Sequence, residues 1–122
     1  MRTKPLRLAL ASLVAFGLVF VPGVSLGAPV KIKATARDTW NPDFQHISPG
    51  QRVVWINPAR HNQDHDLIAY GGNWRKRVML YPGDRTAKRF RRVGTYKYFC
   101  RLHGHRSDGQ CHGMCGVVHV MR

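Results

Sequence analysis

The side chains able to do chemistry crowd toward the end of this 122-residue chain: Cys100, His103, His105, Cys111, His112, Met114, Cys115 and His119. Three cysteines are an odd number, so in an oxidising compartment one thiol is left over after any pairing. Cys111 and Cys115 are four apart around His112-Gly113-Met114, and a tight turn would bring them within bonding reach. Cys100 instead has His103 three residues later. A spare thiolate beside an imidazole suggests a metal ligand pair; the competing reading is a buried free cysteine or an intermolecular disulfide. Upstream, RHNQDHDL supplies two more imidazoles, His61 and His65. His65 is favoured because Leu67 and Ile68 can anchor a strand in a core, which leaves His61 in a loop.

The elements that must position these groups read as strands. Val30, Ile32, Ala34 and Ala36 alternate with Lys31, Lys33 and Thr35, the period of a half-buried strand. Residues 44–47 are a short candidate, and residues 52–57 (RVVWIN) form a β-branched and aromatic run that stops at Asn57-Pro58. Residues 66–70, 76–81 and 86–92 follow, punctuated by Gly71-Gly72 and Pro82-Gly83-Asp84, and then 95–99 and 116–120. Seven or eight short strands separated by turn signals predict an all-β, two-sheet antiparallel sandwich with no helix of consequence.

Against that frame the motifs resemble a known family. YFCRLH at 98–103, followed by GMCGVVHV at 113–120, is similar to the ligand loop and last strand of the type 1 blue copper proteins, the plastocyanin- and azurin-like cupredoxins. SPGQRVVWIN at 48–57 resembles the strand leading to the family's first ligand, and His65-Asp66-Leu67 matches its histidine, variable residue, aliphatic pattern. The resemblance spans roughly residues 30–122. It implies a cupredoxin-like Greek-key β-sandwich holding one copper ion, Cu(I)/Cu(II), through His65, Cys100, His103 and Met114. The Cys111–Cys115 disulfide would stiffen the loop and hold Met114 in place. A thiolate and two imidazoles in a plane, with a distant thioether, suit both oxidation states without forcing either into its preferred geometry. No coordination position stays open for substrate, so the expectation is a one-electron carrier and not an enzyme.

Two departures accompany the resemblance. Ten residues, 104–113, separate His103 from Met114, more than plastocyanin-like loops contain, so the insertion could fold out as a flap or let His112 or His105 take the axial position. Asp66 stands where such proteins carry a neutral asparagine. A different copper site, the dinuclear loop of cytochrome oxidase subunit II, is also suggested by Cys111-x3-Cys115-x3-His119, but that fold needs a closing strand beyond the loop. In functional class the alternative is copper handling, meaning delivery, sequestration or resistance, with His105, His112 and Met114 as exchangeable donors.

Compartment and charge bound the rest. Arg2, Lys4 and Arg7 precede an uncharged apolar run at 8–21 and then small residues, the layout of a secretory signal, with cleavage after Gly27. Residues 1–27 are thus expected to be removed, leaving a single domain over 28–122 that works in the periplasm or outside the cell. Removing those three basic residues from a net charge of +14 leaves about +11. The excess lies in Arg75-Lys76-Arg77 and in Arg85, Lys88, Arg89, Arg91 and Arg92, either as solvated strand faces or as a dock for acidic redox partner proteins or an anionic membrane surface. Nucleic acid is not expected as a partner, and the chain is expected to act as a monomer.

Overall fold

The computed structural model describes residues 15–20 and 27–122, so most of the expected signal segment lies outside the described residues. Nine strands follow one another: β1 (Val30–Ala34), β2 (Trp40–Asn41), β3 (Phe44–Ile47), β4 (Arg52–Ile56), β5 (His65–Tyr70), β6 (Arg77–Leu80), β7 (Arg85–Arg89), β8 (Gly94–Ser107) and β9 (Gln110–Val120). One sheet runs β2-β1-β4-β7 and the other β3-β9-β8-β5-β6. The alternation read from 30–36 is realised as far as Ala34, with Ile32 and Ala34 buried and Lys31 and Lys33 exposed; Ala36, expected on the inward row, lies in the turn beyond β1 and is exposed.

Three details differ from expectation. β2 adds a strand because Trp40, at 2% exposure, pins two residues against β1. The sheets are mixed and not purely antiparallel: β1 pairs with β4 and β3 with β9 in parallel, since the chain crosses between sheets before returning. The segment between His103 and Met114 is no detached flap. β8 and β9 run on through it as a paired hairpin, with His105 opposite His112 and Ser107 opposite Gln110.

The inward faces of the two sheets meet in an aromatic core. Trp55 of β4 stacks on Trp74 at 6.0 Å and meets Tyr98 of β8 edge-on at 5.3 Å, while Phe90 packs on Tyr96 at 4.6 Å. Aromatic side chains bury the largest apolar areas available, and edge-on or offset contacts add to that burial. Tyr98 lies over Gly116, its partner across the β8–β9 ladder, and a Cβ on Gly116 would overlap the tyrosine ring. Gly116→Ala is therefore expected to cost about 2 to 3 kcal/mol by overpacking, read as a lower urea midpoint at unchanged slope. An unchanged midpoint would mean that the ring is free to move aside.

Candidate metal centre

Three strands, β5, β8 and β9, carry the candidate donors. Asn57, fully buried, donates from Nδ2 to the carbonyl oxygens of Gln63 (2.7 Å) and Leu80 (2.8 Å), and so ties down the loop that leads into β5. His65, the first residue of β5, is fully buried with Trp40 packed against it at 6.2 Å. Cys100 continues the inward row of Tyr96 and Tyr98 on β8. A break in the β8–β9 register between Phe99 and Gly104 then sets His103 free of strict alternation.

On β9, Cys111 and Cys115 are disulfide-bonded with Cα atoms 6.1 Å apart. Four residues of straight strand would span about 13 Å, so the strand bends sharply between them, at Gly113 with φ +82°. A Cβ on Gly113 would collide with the carbonyl oxygen of His103, and one on Gly104 would lie 2.9 Å from the amide nitrogen of Met114. Two facing glycines thus permit the crossing that carries Met114 into full burial directly after it.

The donor atoms converge. His65 Nδ1 lies 3.1 Å from His103 Nδ1, and the Cys100 Sγ is 3.9 Å from the first and 3.7 Å from the second. All three residues fit within a 4.8 Å cluster, the metal-competent group of three or more among the described residues. Take metal–nitrogen bonds of about 2.0 Å and a metal–sulfur bond of about 2.3 Å, as for a tightly held first-row ion. The three edges then subtend about 100°, 120° and 130° at the ion, close to a full circle, so an ion fits almost in the donor plane. Two imidazole lone pairs facing each other repel unless a proton or a cation lies between them, which makes the arrangement suited to a cation.

The electrostatics favour ligation at His65 and oppose it in part at Cys100. Burial foremost, then the neighbouring His103, pushes the His65 pKa below its ordinary value and favours the neutral imidazole that a metal requires. Burial pushes the Cys100 thiol up, while backbone amides of Asp66, Leu102 and His103 directed at the sulfur act in the opposite sense. Those amides partly offset the cost of a buried thiolate, and an ion bonded to the sulfur would supply the rest.

Asp66 forms the second layer. Its backbone amide donates to Cys100 Sγ at 3.4 Å, and its carboxylate, 1% exposed, accepts from the Arg101 amide at 2.6 Å and from Arg101 Nε at 2.7 Å. The residue after the first histidine is thus locked to the residue after the cysteine. Sequence reasoning singled out Asp66 but missed Arg101, although an acid following one donor and a base following another is a legible signal. It also missed Asp38, held at φ +54°, whose Oδ1 lies 3.6 Å from His103 Nε2; the turn around it carries no such signal.

The remaining candidates lie elsewhere. His61 sits on a 3-10 turn (Ala59–His61), accepts from Arg60 Nε and takes no part in the cluster. His105 and His112 are exposed on the hairpin. Because Cys111 and Cys115 are bonded to each other, neither is free to ligate, which removes the dinuclear reading.

No protein-family model matches the chain, and no curated protein matches it in sequence. Solved structures do match in fold. A reduced amicyanin variant superposes with TM-score 0.61 at 22% identity, covering 76% of this chain and 82% of amicyanin. A purple cupredoxin from Nitrosopumilus maritimus gives 0.57 at 23% identity, covering 75% and 99%. A copper-containing nitrite reductase from Thermus scotoductus gives 0.59 at 20% identity over 78% of this chain but 23% of the reductase. The chain therefore has the cupredoxin fold, an all-β sandwich with a largely buried His-Cys-His cluster at one end.

Asp66→Ala is expected to cost about 2 kcal/mol, because it strands the Arg101 amide and removes a charge-assisted pair; the 47% exposure of the Arg101 side chain keeps the figure below that of a fully buried pair. Asp66→Asn, which keeps an acceptor for the amide, should lose about half as much. Equal stability of all three proteins in urea would show that the lock is idle.

Proposed function

We propose that this chain is an exported protein that carries one electron at a time on a single copper ion held by His65, Cys100 and His103, with the Met114 thioether as axial donor. The observation carrying this reading is the donor triangle: one soft sulfur and two imidazole nitrogens 3.1 to 3.9 Å apart, with His65 and Cys100 fully buried and His103 partly so. Copper, when bound there, supplies a one-electron couple that this donor set accommodates in both states. Everything else falls to the protein. Trp40 and the strand starts fix His65, the Asp66 amide and carboxylate fix Cys100 and its neighbour, and the bend at Gly113 fixes Met114. Donors held this firmly reorganise little on electron gain or loss.

His103 is the donor closest to solvent, with its side chain 26% exposed, and its imidazole edge is the shortest way in for an electron. Export, to the periplasm or beyond, is supported by the N-terminal signal pattern and by the disulfide. Copper delivery, the alternative, calls for exposed and exchangeable donors; His105 and His112 are exposed, but the Met114 thioether that this reading also uses is fully buried, as are His65 and Cys100.

The Cu(II) form should absorb intensely in the visible and undergo reversible one-electron reduction. Cys100→Ser should abolish the band, while Met114→Leu should keep it and shift the potential. A colourless Cu(II) wild type, or a Cys100→Ser spectrum identical to the wild type, overturns the proposal.

A partner follows from charge. The two basic runs, apart in sequence, adjoin in space, because β6 and β7 are neighbouring edges of the two sheets and Lys76 Nζ donates to the Ala87 carbonyl at 2.9 Å. Charged edge strands discourage sheet-to-sheet aggregation, and this edge is also the strongest dock for an acidic redox protein. Electron exchange with such a partner should slow at least about tenfold between about 10 mM and 0.5 M salt; a rate insensitive to salt excludes this face as the dock.

A further inference from the structure

Outside the central cluster, two other pairs of imidazoles face each other across strands. His46 of β3 stands opposite His119 of β9 with ring centroids 5.1 Å apart, and His105 of β8 stands opposite His112 of β9 at 5.2 Å, ring planes 23° from parallel. The two settings differ. His46 and His119 share an aromatic contact with Phe44, at 4.9 and 6.2 Å. His105 and His112 are both exposed, and the imidazoles that do form hydrogen bonds among the described residues are those of His61, His65 and His103.

We propose that His105 and His112 form a second metal site, a surface bis-imidazole site for a borderline divalent cation, Cu(II) foremost. Directly opposed residues of an antiparallel pair have Cβ atoms about 4.5 to 5.5 Å apart. Two imidazoles on such a pair reach a common ion at about 2.0 Å once the stacked rings turn one nitrogen each toward it. Exposed rings make that turn freely, while the backbone beneath stays fixed: Cys111, adjacent to His112, is bonded to Cys115, and Asp108-Gly109 closes the hairpin tip. The one cation between the pair and the tip on β8 faces away. Arg106 follows His105 and so points to the opposite side of the ribbon, where its guanidinium lies 4.2 Å above the Tyr70 ring. Among divalent first-row ions, nitrogen donors favour Cu(II) most strongly.

Location gives the site its use. His105 is two residues from His103 and His112 two from Met114, so each backbone position lies within about 7.6 Å of one belonging to the proposed centre. An ion caught on the hairpin is held beside the solvent-facing edge of the central cluster, ready to supply it. This inference uses different donors from the carrier reading and stands whether or not Cys100 binds metal.

Cu(II) chloride titrated into the purified chain, followed by calorimetry and paramagnetic resonance, tests it. The wild type should take a second ion with the wide hyperfine splitting of nitrogen and oxygen ligation. His105→Ala or His112→Ala should weaken that second ion about a hundredfold, the loss expected when a two-armed ligand keeps one arm, and the double variant His46→Ala/His119→Ala should leave it unchanged. In Cys100→Ser the same His105 dependence should persist, which separates this site from the central one, whose own success or failure is read from the intense visible band of the wild type. A second ion indifferent to both hairpin histidines, absent altogether, or lost with His46 and His119 overturns the proposal. Because His105 and His112 are exposed, unchanged thermal melts of the alanine variants will show that the fold is not what failed.

Discussion

The Asp66 interlock is the constraint on which the site depends. One residue reaches across the β5–β8 junction with its amide to the Cys100 sulfur and with its carboxylate to both the amide and the guanidinium of Arg101. Strands of one sheet are otherwise joined by ladder bonds that say nothing about side-chain geometry. Here the positions adjoining two donors are bonded to each other, so neither His65 nor Cys100 can shift without breaking a charged contact. A carboxylate this deeply buried is costly unless it is fully paired. The pairing shows why an acid is tolerated beside the first donor: Arg101 supplies the compensating charge from the strand that also supplies the thiol.

Burial of the donors sets a second requirement. Desolvation disfavours both a charged imidazolium at His65 and a thiolate at Cys100, and only the second of these opposes metal binding. The amides directed at the sulfur lower that opposition without adding a mobile charge. A site built this way would hold an ion through preset donors, in contrast to the exposed His105–His112 pair, where freely turning rings would supply the ligands.

Much of this was legible in the sequence because strand period and turn residues report local structure. β1 and the start of β8 show their alternation openly, β4 shows a β-branched and aromatic run, and the Tyr98 to His103 and Gly113 to Val120 motifs pointed to the fold, the first of them also to Cys100 and His103. The disulfide was legible too, from the odd count and the four-residue spacing. What escaped is long-range. Nothing local announces that β3 pairs in parallel with β9, that Trp40 closes over His65, or that two residues suffice for β2. The segment 104–113 looked like a flap because its histidines, glycines and single aspartate carry no strand period; cross-strand pairing and the bend at Gly113 override that weak propensity.

That insertion shows how a loop can grow without loosening what it connects. Closing a longer loop costs entropy that rises only slowly with length, but the geometry at its ends degrades unless something restores it. Here the added residues pair with each other, and Gly104 faces Gly113 at the base of the ribbon. The chain therefore leaves the site after His103 and re-enters before Met114 at adjacent points, much as if the intervening residues were absent. A disulfide spanning four residues contributes less through chain entropy than one that closes a long loop. Its effect is local: it ties together the two ends of the bend at Gly113, beside the buried Met114. The hairpin is then free to carry exposed imidazoles of its own, because the geometry of the buried donors no longer depends on what its tip contains.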